Sequence, residues 1–199
     1  MSGADRREQL IEISRALFAA RGFDGTSVEE IAAKAEVSKP VVYEHFGGKE
    51  GLYAVVVDRE VRTLLDGIRG SLRSGHQREL VEQAALALLD YIEEHRDGFR
   101  ILARDSSLGN ARGSFATILS DVASRVEDIL VAEFKKQRLE PKSAPIYAQM
   151  LVGMVAVTGQ WWLDAQQPGK REVAAHLVNL AWNGLQHLEA KPTLVTDPG

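Results

Sequence analysis

The chain has 199 residues, a formal net charge of −4, 45% hydrophobic residues and 26% charged residues, a balance typical of a soluble globular protein with one or two domains. It contains no cysteine, which excludes disulfide and thiolate chemistry. The N-terminal residues form no long apolar segment, and the least polar run, residues 150–163, is too short to span a bilayer. We therefore expect neither a signal peptide nor a membrane span, and a cytoplasmic location by default.

The first predicted helix covers about residues 6–21. Apolar side chains recur on one face of it at helical spacing: Leu10, Ile11, Ile13, Leu17 and Phe18. Gly22 follows this stripe and is expected to end the helix, because glycine suits the left-handed position after a helix C-terminus. Phe23 can then pack back against the stripe.

A short second helix is predicted to begin at Thr26. Thr26 lies three residues before Glu29, which is the spacing of a capping box, so we expect its hydroxyl to cap this helix. Ala32 and Ala35 lie on the apolar face and are small. A further helix can therefore cross this one closely.

The third predicted helix begins after Ser38, a residue type that commonly caps helix N-termini. Pro40 falls in its first turn, where a missing N–H costs nothing. Gly47 and Gly48 are expected to end it, since glycine adopts the left-handed conformation readily. Two short helices joined by a turn of three to four residues form a helix-turn-helix.

The N-terminal residues of the second helix in such a motif contact base edges in the major groove of DNA. Pro40 and Val41 can offer apolar contact to thymine methyl groups, and Tyr43 and His45 can donate to phosphates. The alternative is that Tyr43 and His45 are ordinary surface residues, and their place in this motif favours DNA contact. The residues expected to face DNA from their positions are Ser38, Lys39, Pro40, Val41, Tyr43, His45 and Lys49.

The remainder of the chain is predicted to be helical, with no convincing strand alternation. A long helix begins at Lys49 and links the motif to the rest of the chain. Further helices are expected over residues 79–94, 99–104, 114–138, 144–165 and 171–189, with a loop at 106–113 and a frayed tail at 191–199. The predicted fold is all-α with about nine helices. The predicted domains are residues 1–48 for DNA binding, 49–190 for ligand binding and dimerisation, and the tail.

The stretch from Arg6 to Tyr53 resembles the DNA-binding part of the TetR family of transcriptional regulators. The residues that carry the resemblance are Ile13 through Phe18, Gly22, Phe23, Thr26, Ile31, Ala32, Val37, Ser38, Tyr43, Phe46, Lys49, Glu50 and Leu52. The resemblance implies a homodimeric, all-α repressor that a ligand usually releases from DNA. By family motif, Thr26, Ser38, Lys39, Tyr43, His45 and Lys49 match DNA-contacting positions. The chain departs from the family at Glu36, where a glycine is usual; a non-glycine residue in the left-handed conformation costs about 1–2 kcal/mol.

Charge within the motif does not by itself indicate a nucleic-acid partner. Residues 1–50 hold seven Lys and Arg against nine Asp and Glu, a net charge of −2. DNA binding must therefore depend on individual cations, namely Arg6, Arg7, Lys39 and Lys49, and on helix N-termini that point at phosphates. Weak non-specific binding is the expected consequence.

The last two long helices, about 144–165 and 171–189, carry wide apolar faces and a tight turn between them. Pairing this hairpin with its symmetry mate gives a four-helix bundle, so we expect a homodimer with Leu177 and Ala181 in its interface. The alternative is that both helices only cover the core of a monomer. The two-fold symmetry of helix-turn-helix proteins on palindromic DNA favours the dimer.

Bulky residues in the second predicted domain suggest a cavity for a mainly apolar small molecule. The candidate ligand-binding residues are Tyr91, Phe99, Arg104, Phe115, Tyr147, Met150, Met154, Trp161 and Trp162. Each aromatic or methionine residue alone is more often part of a core, and Arg104 alone is more often a solvated charge. The histidines show no metal-ligand spacing, so no metal or other cofactor is expected.

Three classes of function compete. The first is a DNA-binding repressor that a small apolar ligand releases from a palindromic operator, and the second is a DNA-binding regulator without an effector. The third, an enzyme, is disfavoured because the sequence has no glycine-rich phosphate loop, nucleophile elbow or metal cluster. A closed apolar cavity in the second domain would favour the first class over the second.

Overall fold

The computed structural model describes residues 2–71, 77–105 and 115–194. These residues form nine α-helices, one short 3₁₀-helix and no strand, which confirms the predicted all-α fold. The helices are α1 (Gly3–Arg21), α2 (Val28–Lys34), α3 (Lys39–Phe46), α4 (Lys49–Ser71), α5 (Gln77–Glu94), α6 (Arg96–Asp105), α7 (Phe115–Gln137), the 3₁₀-helix (Pro141–Ser143), α8 (Ala144–Ala165) and α9 (Lys170–Gln186). The predicted loop at 106–113 lies outside the described residues, as does the tail beyond residue 194. No helix among the described residues is both long enough and apolar enough to cross a bilayer.

The chain divides into two compact units. Unit 1 comprises Met1–Arg69 and Tyr91–Thr117, and unit 2 comprises Gly70–Asp90 and Ile118–Gly199. Unit 1 thus contains most of α4 and all of α6 in addition to the predicted DNA-binding helices. The functional boundary between residues 48 and 49 stays a prediction.

The core of unit 1 begins with the apolar stripe of α1. Leu10, Ile11, Leu17 and Phe18 are buried, as the helical spacing predicted. Gly22 ends α1 with a φ of 74°, and its N–H donates to the carbonyl oxygen of Phe18 at 2.8 Å.

An aromatic cluster then holds the segment after α1 against the start of α4. The Phe18 and Tyr53 rings meet edge to face with centroids 4.9 Å apart, and the Phe23 ring lies 5.0 Å from that of Tyr53. Phe23 therefore packs back on the stripe, as predicted.

The cap of α2 differs from the prediction by one residue. Ser27, not Thr26, is the N-cap, and its hydroxyl accepts from the backbone N–H of Glu30 at 3.2 Å. The Thr26 hydroxyl instead donates to the carbonyl oxygen of Gly22 at 2.8 Å, and Thr26 is buried. The predicted capping box between Thr26 and Glu29 is therefore wrong, because the helix begins one residue later.

A buried polar cluster in unit 1 joins α1, α4 and the last turn of α5. The Glu60 side chain is 4% exposed, and its Oε1 lies 2.6 Å from Arg15 Nε in an ion pair. The Tyr91 hydroxyl donates to Glu60 Oε2 at 2.7 Å. Gly98 of α6 passes so close that a Cβ there would lie 1.8 Å from Glu60 Oε2. Burial and the Glu60 charge both raise the pKa of Tyr91, so this hydroxyl stays protonated and able to donate.

Unit 2 has its own apolar cluster, formed by α7, α8 and α9. Phe134 and Tyr147 meet edge to face with ring centroids 5.5 Å apart. The buried members are Leu130, Phe134, Ala144 and Ala148, against which Val126, Val131, Leu139, Tyr147, Leu151, Leu185 and Leu188 pack. Small alanines at the start of α8 let α7 approach closely.

Candidate nucleic-acid interface

Local sequence fixes the position of α3. Ser38 has the extended backbone of an N-cap, although its hydroxyl makes no capping hydrogen bond, and Pro40 lies in the first turn as predicted. Val42 is completely buried and anchors the helix to unit 1. Gly47 then ends α3 in the left-handed conformation, with a φ of 72°.

The opposite side of α3 is open to solvent. We call Ser38, Lys39, Pro40, Val41, Tyr43 and His45 the recognition surface; Ser38, Lys39, Pro40 and Tyr43 are exposed, and Val41 and His45 are half-buried. Tyr43 keeps 54% of its surface exposed although its ring lies beside Gly48. All six predicted positions on this helix thus lie at the surface, and their contact with DNA stays a prediction.

Thr26 does not share this surface. It is only 2% exposed, and its hydroxyl hydrogen is committed to the Gly22 carbonyl oxygen. A phosphate contact by this side chain would require the segment to rearrange. In this structure the Thr26 side chain fixes the segment between α1 and α2, and the DNA contact that the family motif implies for this position stays a prediction.

Lys49 is half-buried rather than free. Its ammonium donates to the carbonyl oxygen of Phe23 at 2.9 Å and lies 4.2 Å from the centroid of the Phe23 ring. Both partners are uncharged, so the positive charge of Lys49 is not neutralised. The residue ties the start of α4 to the segment after α1 and keeps its charge beside α3.

The other cations near α3 also have partners inside the protein. Arg6 donates to Gln9 Oε1 at 2.6 Å and more weakly to the Ala35 carbonyl oxygen at 3.3 Å. The guanidinium carbon of Arg7 lies 5.0 Å from the centroid of the Phe46 ring. Lys39, in contrast, forms an ion pair with Glu29 of α2. Of these cations, Lys39 is the one that a carboxylate neutralises.

Glu36 lies in the turn between α2 and α3, at the position where the TetR family usually has glycine. Glu36 has a φ of 54°, in the left-handed region, and its N–H donates to the carbonyl oxygen of Ala33 at 3.2 Å. The turn therefore keeps the geometry that favours glycine, with the strain of a side chain.

Four of the predicted ligand-binding residues belong to unit 1, and the structure describes the side chains of three of them. Tyr91 is buried and bonded to Glu60, and Phe99 is completely buried in the core. Arg104 donates to the carbonyl oxygen of Ala19 at 2.7 Å, which holds α6 against α1. The structure thus gives all three a role in packing unit 1. Phe115 begins α7, and its side chain lies outside the described part of the structure.

The other five belong to unit 2 and do not converge on one point. Met150 and Trp161 are more than half exposed on one face of α8, whereas Trp162 is buried and donates through Nε1 to the Pro168 carbonyl oxygen at 2.8 Å. Met154 is half-buried on the same helix. Tyr147 packs in the apolar cluster and borders a surface groove whose other lining residues are Phe134, Leu139, Glu140, Ser143, Leu188, Glu189, Ala190 and Pro192. Met150 and Trp161 thus face solvent in the single chain, and ligand binding by these five residues stays a prediction.

The predicted interface face of α9 is also corrected. Leu177 and Ala181 are buried within unit 2, whereas Leu180 is 66% exposed on another face of the helix. The apolar residues of α9 therefore serve two faces, which hydrophobic spacing alone did not separate. The sequence interpretation also missed Arg15, Glu60 and Gly98, whose shared cluster depends on contacts between distant parts of the chain.

The described geometry is that of a helix-turn-helix protein with a separate helical unit, and known proteins share both parts. Residues 10–56 match the family described as "Bacterial regulatory proteins, tetR family", and residues 77–184 match the family "Tetracyclin repressor-like, C-terminal domain". The chain belongs to the TetR family of transcriptional regulators, and its function is that of a DNA-binding transcriptional regulator.

Individual relatives agree with this family, two of them over most of the chain. The HTH-type transcriptional activator FasR of Mycolicibacterium smegmatis is 30% identical over 92% of this chain and 84% of its own length. The HTH-type transcriptional repressor KstR2 of Rhodococcus jostii is 36% identical over 42% of this chain and 39% of its own length. A solved TetR-like transcriptional regulator from Rhodococcus sp. RHA1 superposes with a TM-score of 0.75 at 25% identity, covering 94% of this chain and 100% of that chain.

Proposed function

We propose that this regulator is a homodimer that binds a palindromic operator through the recognition surface, and that a small apolar ligand releases it to end repression. The observation that carries the DNA contact is the exposure of Lys39 and Tyr43 on a helix whose opposite face is anchored by buried Val42. Phosphate contacts from such residues position the protein, while Pro40 and Val41 can contact base edges. DNA as the partner implies a cytoplasmic site of action and a regulator rather than an enzyme.

The exposed face of α8 supports the dimer. Ile146, Met150, Val157 and Trp161 are each more than half exposed and follow one another at spacings of four, seven and four residues, so they form one stripe along the helix. Leu180 adds a further exposed apolar residue on α9. Contiguous apolar surface of this kind is uncommon on monomers and typical of interfaces. A two-fold dimer through this stripe would present two copies of α3 to successive major grooves.

The proposed effector is an apolar molecule bound by unit 2, and a regulator without an effector is the alternative. The described part of unit 2 offers aromatic and methionine side chains, such as Tyr147 and Met154, and few ionic groups among them, so burial of apolar surface would dominate recognition. A ligand shifts the DNA-binding equilibrium only by its preference for the form that does not bind DNA, about 1.4 kcal/mol for each factor of ten.

Whether the regulator represses or activates depends on where its operator lies relative to the promoter. A dimer that covers a promoter represses by excluding the polymerase, which requires no further contact surface. FasR, a relative aligned with 92% of this chain, is an activator, whereas KstR2 is a repressor. A reporter gene placed behind the selected operator distinguishes the two: repression predicts more expression when the regulator is deleted, and activation predicts less.

DNA binding is tested by selecting duplexes from a random pool and measuring affinity for the selected and a scrambled sequence. Tyr43→Ala should weaken binding to both, because a phosphate contact does not depend on sequence. Tyr43→Phe is the matched control: it keeps the ring beside Gly48 and removes only the hydroxyl. If both variants bind like the unmodified protein, the role proposed for Tyr43 is wrong; if no duplex is selected, the proposed function fails.

The effector is tested by tryptophan fluorescence. Apolar and amphipathic compounds are screened for quenching, and each hit is assayed for release of operator DNA. Trp161→Phe removes the exposed indole, so the signal that disappears comes from Trp161 and the signal that remains comes from Trp162 and Trp182. Compounds that bind without changing DNA affinity would favour the regulator without an effector.

A further inference from the structure

The cations around α3 differ in the charge of their partners. The direct contacts of Arg6, Arg7 and Lys49 are with an amide oxygen, carbonyl oxygens or an aromatic ring, none of which carries a formal charge. Lys39, at the start of α3, instead contacts the carboxylate of Glu29. The cation of the recognition surface is therefore neutralised while its neighbours keep their charge.

The Lys39–Glu29 pair lies at the surface, where another anion can reach Lys39 and replace Glu29. The two side chains are 52% and 59% exposed, and they bridge from the first turn of α2 to the first turn of α3. Glu29 lies at a helix N-terminus, where the backbone dipole favours a negative charge. The hydrogen bond from Lys39 lowers the pKa of Glu29, so this carboxylate stays ionised throughout the neutral pH range.

We propose that Glu29 is an intramolecular competitor of DNA phosphate for Lys39. In the free protein the Glu29 carboxylate pairs with the Lys39 ammonium group. A DNA phosphate must displace this carboxylate when α3 enters the major groove. Glu29 therefore lowers the affinity for duplex DNA of any sequence. The free energy gained from the Lys39–phosphate contact is partly offset by the loss of the Lys39–Glu29 ion pair. This inference rests on the proposed binding of DNA through α3 and identifies a residue that sets its strength.

The expected size of the effect follows from the exposure of the pair. Ion pairs between solvent-exposed side chains are weak, so removing the competitor should raise affinity by about two- to fivefold. The pair is also screened by salt. The gain should therefore be largest at low ionic strength and shrink as salt is added, which makes the salt dependence of the variant steeper than that of the unmodified protein.

Glu29→Gln is the test variant, and Glu36→Gln is its matched control. Both remove one negative charge from an exposed side chain, but Glu36 lies in the turn after α2 and forms no ion pair in the described structure. Affinity of the full-length protein is measured by fluorescence anisotropy on the selected operator and on a scrambled duplex, over a series of salt concentrations. Both substitutions are then repeated in a Lys39→Gln background.

The proposal expects a two- to fivefold gain for Glu29→Gln on both duplexes, a smaller gain for Glu36→Gln, and no difference between the two in the Lys39→Gln background. Equal gains from both variants would overturn it, since net charge alone would then explain them. A loss of affinity in Glu29→Gln would also overturn it, because Glu29 would then hold Lys39 in place for DNA. Failure of the unmodified protein to bind either duplex would instead refute the proposed function.

Discussion

The buried pair of Arg15 and Glu60 allows a quantitative test of how unit 1 is held together. The Glu60 side chain is 4% exposed and that of Arg15 is 21% exposed, so the two charges are not equally shielded from water. Removing one partner of a buried pair costs about 3–5 kcal/mol, because the other charge is left uncompensated. The cost should therefore depend on which partner is removed.

Arg15→Met leaves the Glu60 carboxylate in the core without its ion-pair partner, although the Tyr91 hydroxyl still donates to it, and we expect the free energy of unfolding to fall by about 3–5 kcal/mol. Glu60→Gln leaves the Arg15 guanidinium, which still reaches water, and its amide oxygen can still accept from Tyr91. We therefore expect a smaller loss of about 1–2 kcal/mol. In the double variant neither charge remains, so its loss should be smaller than that of Arg15→Met alone.

Urea unfolding followed by circular dichroism measures all four proteins, at one fixed protein concentration because the proposed dimer would add to stability. Unchanged slopes of free energy against urea would show that the variants unfold in the same way. If the double variant loses the sum of the two single losses, Arg15 and Glu60 do not interact energetically and the description of the cluster is wrong.

Three further outcomes follow from the structure. Glu36→Gly should raise the free energy of unfolding by about 0.5–1 kcal/mol, since relief of left-handed strain exceeds the entropy cost of glycine; an unchanged or lower value in urea unfolding would contradict this. Leu180→Glu should give a folded monomer by light scattering, and a dimeric Leu180→Glu would refute the proposed interface. Leu177→Glu should instead lower the free energy of unfolding by about 2–5 kcal/mol, because Leu177 is buried. The pKa of Tyr91 is raised in the folded state, so its contribution to the free energy of unfolding is intact below pH about 10 and is lost as the pH rises toward the folded-state pKa. Thermal stability should therefore fall more steeply above pH about 10 in the unmodified protein than in Tyr91→Phe.

Helix content and the recognition surface could be predicted because both depend on local sequence. The predicted range 144–165 coincides with α8, where Pro145 lies in the first turn. Adjacent Trp161 and Trp162 were expected to point about 100° apart, and one is exposed while the other is buried. The spacing of apolar residues is sufficient to predict such features, because it determines which side chains lie on the same face of a helix.

The cap of α2 and the polar cluster could not be predicted in the same way. Thr26 and Ser27 are both hydroxyl residues followed three positions later by a glutamate, so spacing alone could not decide which one is the cap. Glu60 is a single charge within a long helix, and its burial depends on Tyr91, 31 residues further along the chain. Apolar residues of α8 and α9 likewise do not reveal which face another chain would cover.

A hydroxyl-radical footprint of the selected operator tests the central claim most directly. The proposed dimer, with one α3 in each of two successive major grooves, predicts two symmetric protected segments on one side of the duplex, centred about 10–10.5 base pairs or a multiple of this apart. Leu180→Glu should lose both segments together. A single protected segment, or two that persist in a monomeric variant, would contradict binding by a two-fold dimer through the recognition surface.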